Sequence, residues 1–104
     1  MYIRGRQTGG GTTISPSQVY KGCVKSSSTL TYTINSSKHY VITTVTRVNG
    51  ADSRGASWYI NAGVLTTLQQ DSTSGAVVTL SGTTLSMKGG NASYNDEFRI
   101  IRLD

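Results

Sequence analysis

Along most of this chain apolar side chains alternate with threonine, serine or another small polar residue. The pattern is clearest in Thr29-Leu-Thr-Tyr-Thr-Ile34, Val41-Ile-Thr-Thr-Val-Thr46 and Leu80-Ser-Gly-Thr-Thr-Leu-Ser-Met87. A period of two sends one face of a strand into a core and the other into water. A first strand is expected over 19–25. Ser26-Ser-Ser28 then turns the chain into 29–34, where Leu30, Tyr32 and Ile34 share the inner face. Asn35-Ser-Ser-Lys38 is a turn before a long strand at 39–48, which Asn49-Gly50 and the polar run 51–55 should break. Strand 57–61 carries Trp58 and Ile60 inward, Asn61-Ala-Gly63 leads into strand 64–69, and 70–75 is a loop. Val77 to Leu80 and Leu85 to Met87 form a hairpin turning near Ser81-Gly82. A polar loop at 88–96 precedes the last strand, Glu97 to Leu103. There Ile100-Ile101 interrupts the alternation, as in a strand covered on both faces or one with a bulge. About eight short strands with frequent turn signals, no helical period and no internal repeat predict an all-β, antiparallel β-sandwich, jelly-roll-like.

The 104 residues suit one domain. With 36% apolar residues the core is small, and with 14% charged residues disorder driven by charge is not expected. Residues 1–18 are rich in Gly, Thr, Ser and Gln and hold Gly9-Gly-Gly11 and the one proline, Pro16. They read as a flexible or docking N-terminal arm, leaving 19–104 as the sandwich domain. No apolar stretch approaches the ~20 residues of a membrane span and no signal-peptide core follows Met1, so a soluble, unprocessed chain without membrane insertion is expected.

The net charge of +5 is distributed unevenly. Arg4, Arg6, Lys21, Lys25, Lys38 and Arg47 face no acidic residue before Asp52, whereas Arg54, Lys88, Arg99 and Arg102 are outnumbered by Asp52, Asp71, Asp96, Glu97 and Asp104. The first six are a candidate basic patch for nucleic acid, an anionic polymer or an acidic protein; the alternative is a set of solubilising charges scattered over several faces.

Catalytic signals are sparse. Cys23 has no second cysteine with which to form an intrachain disulfide, and nothing places His39, the single histidine, beside it. It reads as a small buried strand residue rather than a nucleophile. Asp96 and Glu97 are adjacent, so on a strand they point to opposite faces and cannot act as paired carboxylates. No phosphate loop, nucleophile elbow or His/Cys zinc spacing is present. The expectation is therefore a protein that is not an enzyme, with no catalytic residues, metal or cofactor. Two softer binding signals remain. The loop Gly89 to Glu97 offers Asn91, Asn95, Asp96 and Glu97 as oxygen donors, as a calcium site would need, although Asn and Asp are also ordinary turn formers. Among the aromatics, Tyr59 and Tyr94 are the best surface candidates for stacking on a sugar, against the alternative of core or interface packing. The candidate ligand-binding residues are thus Tyr59, Tyr94, Asn91 and Asn95. Asn35-Ser-Ser37 and Asn91-Ala-Ser93 match glycosylation sequons, which arise readily in a chain with 14 serines and 15 threonines.

The segments Val45 to Ile60, Leu80 to Met87 and Gly90 to Leu103 resemble the small β modules of tailed-bacteriophage virion proteins, such as tail fibres, head fibres and receptor-binding tips. The resemblance spans roughly 20–103 and lies in texture, a Thr/Ser/Gly/Asn-rich chain ending in a short apolar strand, with no diagnostic motif. It implies a non-enzymatic structural or adhesion module, a β-sandwich that is commonly trimeric, located on the virion surface or tail. Its partners would be copies of itself, other virion proteins and a host cell-surface glycan or anionic polymer. No binding residue carries over. Two other functions fit the residues: a monomeric carbohydrate-binding module using Tyr59, Tyr94 and the 88–97 loop, and a basic nucleic-acid-binding domain. The second lacks the clustered cations and interleaved exposed aromatics of a strand-binding groove.

Overall fold

A computed structural model describes residues 16–48 and 51–104, with the side chains of 51 and 52 left aside. Arg4 and Arg6, most of the expected arm and the Asn49-Gly50 turn lie outside the described residues. Eight strands form: β1 (Ser17–Val24), β2 (Thr29–Thr33), β3 (His39–Val48), β4 (Ala51–Asn61), β5 (Val64–Gln70), β6 (Val77–Ser81), β7 (Thr84–Lys88) and β8 (Asp96–Arg102). They make two antiparallel sheets, a five-stranded one ordered β1-β8-β3-β4-β5 and a three-stranded one ordered β2-β7-β6. First pairs with last and second with next-to-last, which gives the sandwich its jelly-roll-like wrap. No helix among the described residues is long and apolar enough to cross a membrane.

Alternation fills the space between the sheets. Tyr40 and Ile42 of β3, Trp58 and Ile60 of β4 and Phe98 and Ile100 of β8 face Leu85 and Met87 of β7 and Val78 of β6, all buried. Each such side chain contributes roughly 1.5–3 kcal/mol by leaving water. The Trp58 and Phe98 rings lie 6.4 Å apart at 30°, and Tyr40 extends an aromatic group through Tyr32 to Tyr20. Tight hairpins set the register. β6 and β7 turn through Gly82 at φ 61°, as a two-residue loop with a glycine first requires. β4 and β5 turn through Ala62 and Gly63, both at positive φ.

Four local expectations are corrected. β1 starts at Ser17, two residues inside the expected arm. The run 51–55 does not break the sheet but forms the first half of β4. It absorbs its irregularity in a bulge: Thr44 and Thr46 pair with Ala56 and Ser53, so β4 takes three steps where β3 takes two, and Arg54 adopts φ 53°. Cys23 is exposed instead of buried, because β1 turns Gly22 and Val24 to the core and Cys23 outward. In β3 the apolar face is partly reversed, with Thr44 and Thr46 buried inward while Val45 sits half-buried on the outside. The interruption at Ile100-Ile101 needs no bulge in β8, which pairs regularly with β3; Ile101 faces outward and is half-buried, and the register shift falls opposite it on β1 between Gln18 and Tyr20.

At the end where β8 begins, two loops close over the core by glycine contact. A Cβ built on Gly75 would meet the Gly90 carbonyl oxygen at 2.9 Å, and one on Gly90 would collide with the backbone of Gly75 and Ala76.

Candidate functional site

The outer face of the five-stranded sheet carries most of the groups able to meet a ligand. Register lines them up in rows: Cys23 beside Glu97 and Val45; Lys21 beside Arg99, Thr43, Ser57 and Gln69; Ile101 beside Val41, Tyr59 and Thr66.

Glu97 is buried although it points away from the core. Arg99 donates to its Oε1 at 3.0 Å and the Lys21 ammonium lies 3.5 Å from Oε2, so two half-exposed cations roof the carboxylate. Burial opposes its charge, but Arg99 and Lys21 outweigh that and hold its carboxyl below the ordinary value. A cavity of about 130 Å³ beside it is lined by Thr43, Thr44, Val45, Glu97 and Arg99. Cys23 Sγ lies 4.0 Å from Glu97 Oε2. His39 is at the opposite end of the sheet, so the thiol has no imidazole to act as its base.

That opposite end holds a second arrangement. Pairing of β3 with β8 brings the segment after β8 alongside the start of β3, where the Leu103 amide donates to the His39 carbonyl at 2.9 Å. The Asp104 carboxylate then accepts the His39 backbone N–H at 2.8 Å on one oxygen and meets His39 Nδ1 at 2.7 Å with the other. The hydrogen bond from the His39 amide, reinforced by that from its ring, holds the Asp104 carboxyl below the ordinary value. Tyr59, outward on β4, lies beside the imidazole with the ring planes 14° from parallel and the centroids 6.4 Å apart. His39, Tyr59, Leu103 and Asp104 enclose an open depression of about 350 Å³.

The structure separates the candidate ligand residues. Tyr59 stands at this end, in the row of Ile101. Asn91, Tyr94 and Asn95 belong to the loop before Asp96, five strand positions away, or about 16 Å. Asn91 Oδ1 accepts the amides of Ser93 and Tyr94, and the Asn95 carbonyl accepts the Arg47 amide. Asp96 turns into the core, where it accepts from Thr46 Oγ1 and the Gly90 amide, while Glu97 turns to the other face. The side-chain oxygens of Asn91, Asp96 and Glu97 are thus each engaged with a different partner, and those of Asp96 and Glu97 turn to opposite faces. Among the described residues no group of three His, Cys, Asp or Glu converges as a metal site.

The candidate basic residues are also dispersed. Lys21 and Arg47 lie on β1 and β3, Lys25 in the turn after β1, and Lys38 in the turn before β3 at the other end. His39 and Asp104 were not singled out from the sequence. They lie 65 residues apart and only the β3–β8 register joins them.

Comparison of the chain with protein-family models, with curated proteins and with solved structures found no match.

Proposed function

We propose that this chain is a non-enzymatic structural and adhesion module that assembles with copies of itself, in the manner of the virion modules it resembles, on the surface or tail of a particle. The observation that supports assembly is the outer edge of β5, which is unpaired among the described residues. This seven-residue strand ends the larger sheet, and all of its positions except Leu65 are exposed. Val64 and Leu68 are 64% and 57% accessible, among the most exposed large apolar residues described. Natural edge strands are protected by lysine, proline or brevity. β1 carries Lys21, and β2 and β6 are five residues each. β5 has none of these protections, and its bulge residue Leu68 leaves an apolar side chain exposed.

A second copy is the occupant that the charge pattern favours. Two chains of +5 repel, and like charges placed opposite one another across a strand pair destabilise it. From Gly55 to Gln70 the β4–β5 hairpin carries no charged residue, so copies can meet there without opposing cations. β5 against β5 closes a two-fold dimer; β5 against β1 of the next copy closes a ring, as the trimer implied by the resemblance requires.

The test is the solution mass of the full chain by light scattering, with Leu68→Lys as the variant. Two or three times the 11.1 kDa chain mass is expected, falling to one chain mass in the variant with the fold retained. A wild-type monomer, or an oligomer indifferent to Leu68→Lys, overturns assembly through β5.

A further inference from the structure

We infer that the depression formed by His39, Tyr59, Leu103 and Asp104 is a binding subsite for an uncharged pyranose sugar. The inference builds on the adhesion half of the proposed function and is independent of assembly, since every residue of the subsite belongs to one chain.

The first observation is shape and surface. At about 350 Å³ the depression falls at the small end of the ~300–1,000 Å³ range of ligand sites, enough for a single ring rather than a long chain. Its walls are two aromatic rings and a leucine. The imidazole and phenol planes are nearly parallel, and a centroid separation of 6.4 Å is too long for the two faces to be in full stacking contact. Both rings line the depression, so the C–H face of a sugar has aromatic surface to lie against.

The second observation is that part of this lining is already fixed. A surface histidine ordinarily samples several rotamers. Here the Asp104 carboxylate grips both the backbone amide and the ring nitrogen of His39, and the Leu103 amide ties the carbonyl of the same residue. A ring held before the ligand arrives loses little conformational freedom on binding. The grip also leaves hydrogen-bonding capacity at the rim. His39 Nε2 has no partner among the described residues, each Asp104 oxygen keeps a lone pair, and Tyr59 ends in a hydroxyl. A ligand with an apolar face and hydroxyls around its edge matches these groups.

The third observation is charge. Asp104 places a carboxylate at the rim, and the hydrogen bonds from His39 hold its carboxyl below the ordinary value. An acidic sugar or a phosphate would meet that carboxylate directly, so the site selects for uncharged rings. Tyr94, Asn91 and Asn95, at the other end of the sandwich, take no part.

The experiment is a titration of the isotope-labelled full chain with cellotetraose, chitotetraose and maltotetraose, followed by amide NMR shifts, with a sialylated trisaccharide as the acidic comparison. At least one uncharged oligosaccharide should shift the amides of His39, Tyr59, Leu103 and Asp104, with a Kd on the order of 1 mM as suits a small exposed site. Tyr59→Ala should weaken binding at least tenfold, Tyr94→Ala should leave it within about threefold, and the acidic sugar should bind more weakly. Silence of all three uncharged probes at about 10 mM overturns the inference. So do shifts centred elsewhere, or binding that survives Tyr59→Ala with the fold intact by NMR. Assembly is read separately from the mass of the same samples, so either proposal can fail without the other.

Discussion

Thr44 and Thr46 sit two residues apart on the inward face of β3, both 2% exposed, and the same substitution should have opposite effects at the two positions. Thr44 is in register with Ala56 on one side and Phe98 on the other, both apolar, and its Oγ1 has no hydrogen-bond partner among the described residues. A hydroxyl stripped of water and left unpaired costs about 1–3 kcal/mol. Valine keeps the branched shape and strand preference of threonine and puts a methyl where the hydroxyl was. Thr44→Val should therefore stabilise the fold by about 1 kcal/mol, a rise of roughly 4–8 °C in Tm for a domain of this size. Thr46 Oγ1 instead donates to the buried carboxylate of Asp96, which also accepts from the Gly90 amide. Hydrogen bonds to charged groups contribute about 1.5–3 kcal/mol, so Thr46→Val should destabilise by about 2 kcal/mol. The assay is urea unfolding of the full chain followed by Trp58 fluorescence at fixed protein concentration, comparing midpoints at constant m. A lower midpoint for Thr44→Val, or an unchanged one for Thr46→Val, would refute the hydrogen-bond assignment on this face.

Glu97 contributes stability above its unfolded pKa, near 4.5, and that contribution disappears as the pH falls through its lower folded pKa. Glu97→Gln should accordingly be less stable than wild type at neutral pH, with the difference shrinking below pH 4.5; taking the difference removes the similar acid loss from Asp71 and Asp104, and a pH-independent gap would count against the ion-pair account. Gly90→Ala should cost about 3 kcal/mol or more, since its Cβ would displace the backbone at Gly75 and Ala76; a thermal melt within 2 °C or so of wild type would show that the two loops do not touch as described.

What could be read from the sequence followed from local pattern. The β6–β7 hairpin was legible because Gly82 supplies the positive φ between two alternating runs, and the inward aim of Trp58 and Ile60 followed from period two. Register was not legible, and the errors follow from it. Val45 faces out and Thr46 in because the flanking Tyr40 and Ile42 fix the phase of β3, and the Asp96 carboxylate then provides Thr46 with a buried acceptor. The polar run 51–55 has turn-like composition, yet pairing with β3 continues through it, with Arg54 in a conformation its residue type rarely adopts. Cys23 lies outward because neighbouring Gly22 and Val24 face the core. Of the second site, Tyr59 was visible as an aromatic alternating with Trp58. His39 and Asp104 were not, since a solitary histidine and a carboxylate 65 residues away acquire meaning only once β8 lies beside β3.

The contact between Gly75 and Gly90 limits how this sequence can change over generations. A side chain acquired at either position meets the backbone of the other loop, and the other loop has nothing smaller to become in response. Compensation by a single second mutation is closed off in both directions. The outward threonines of β2 and β5, exposed and without close neighbours in the core, carry no such restriction. Among descendants of this sequence the two glycines should persist together or vanish together with both loops rebuilt, so the pair would mark common ancestry longer than the surface that meets the outside world.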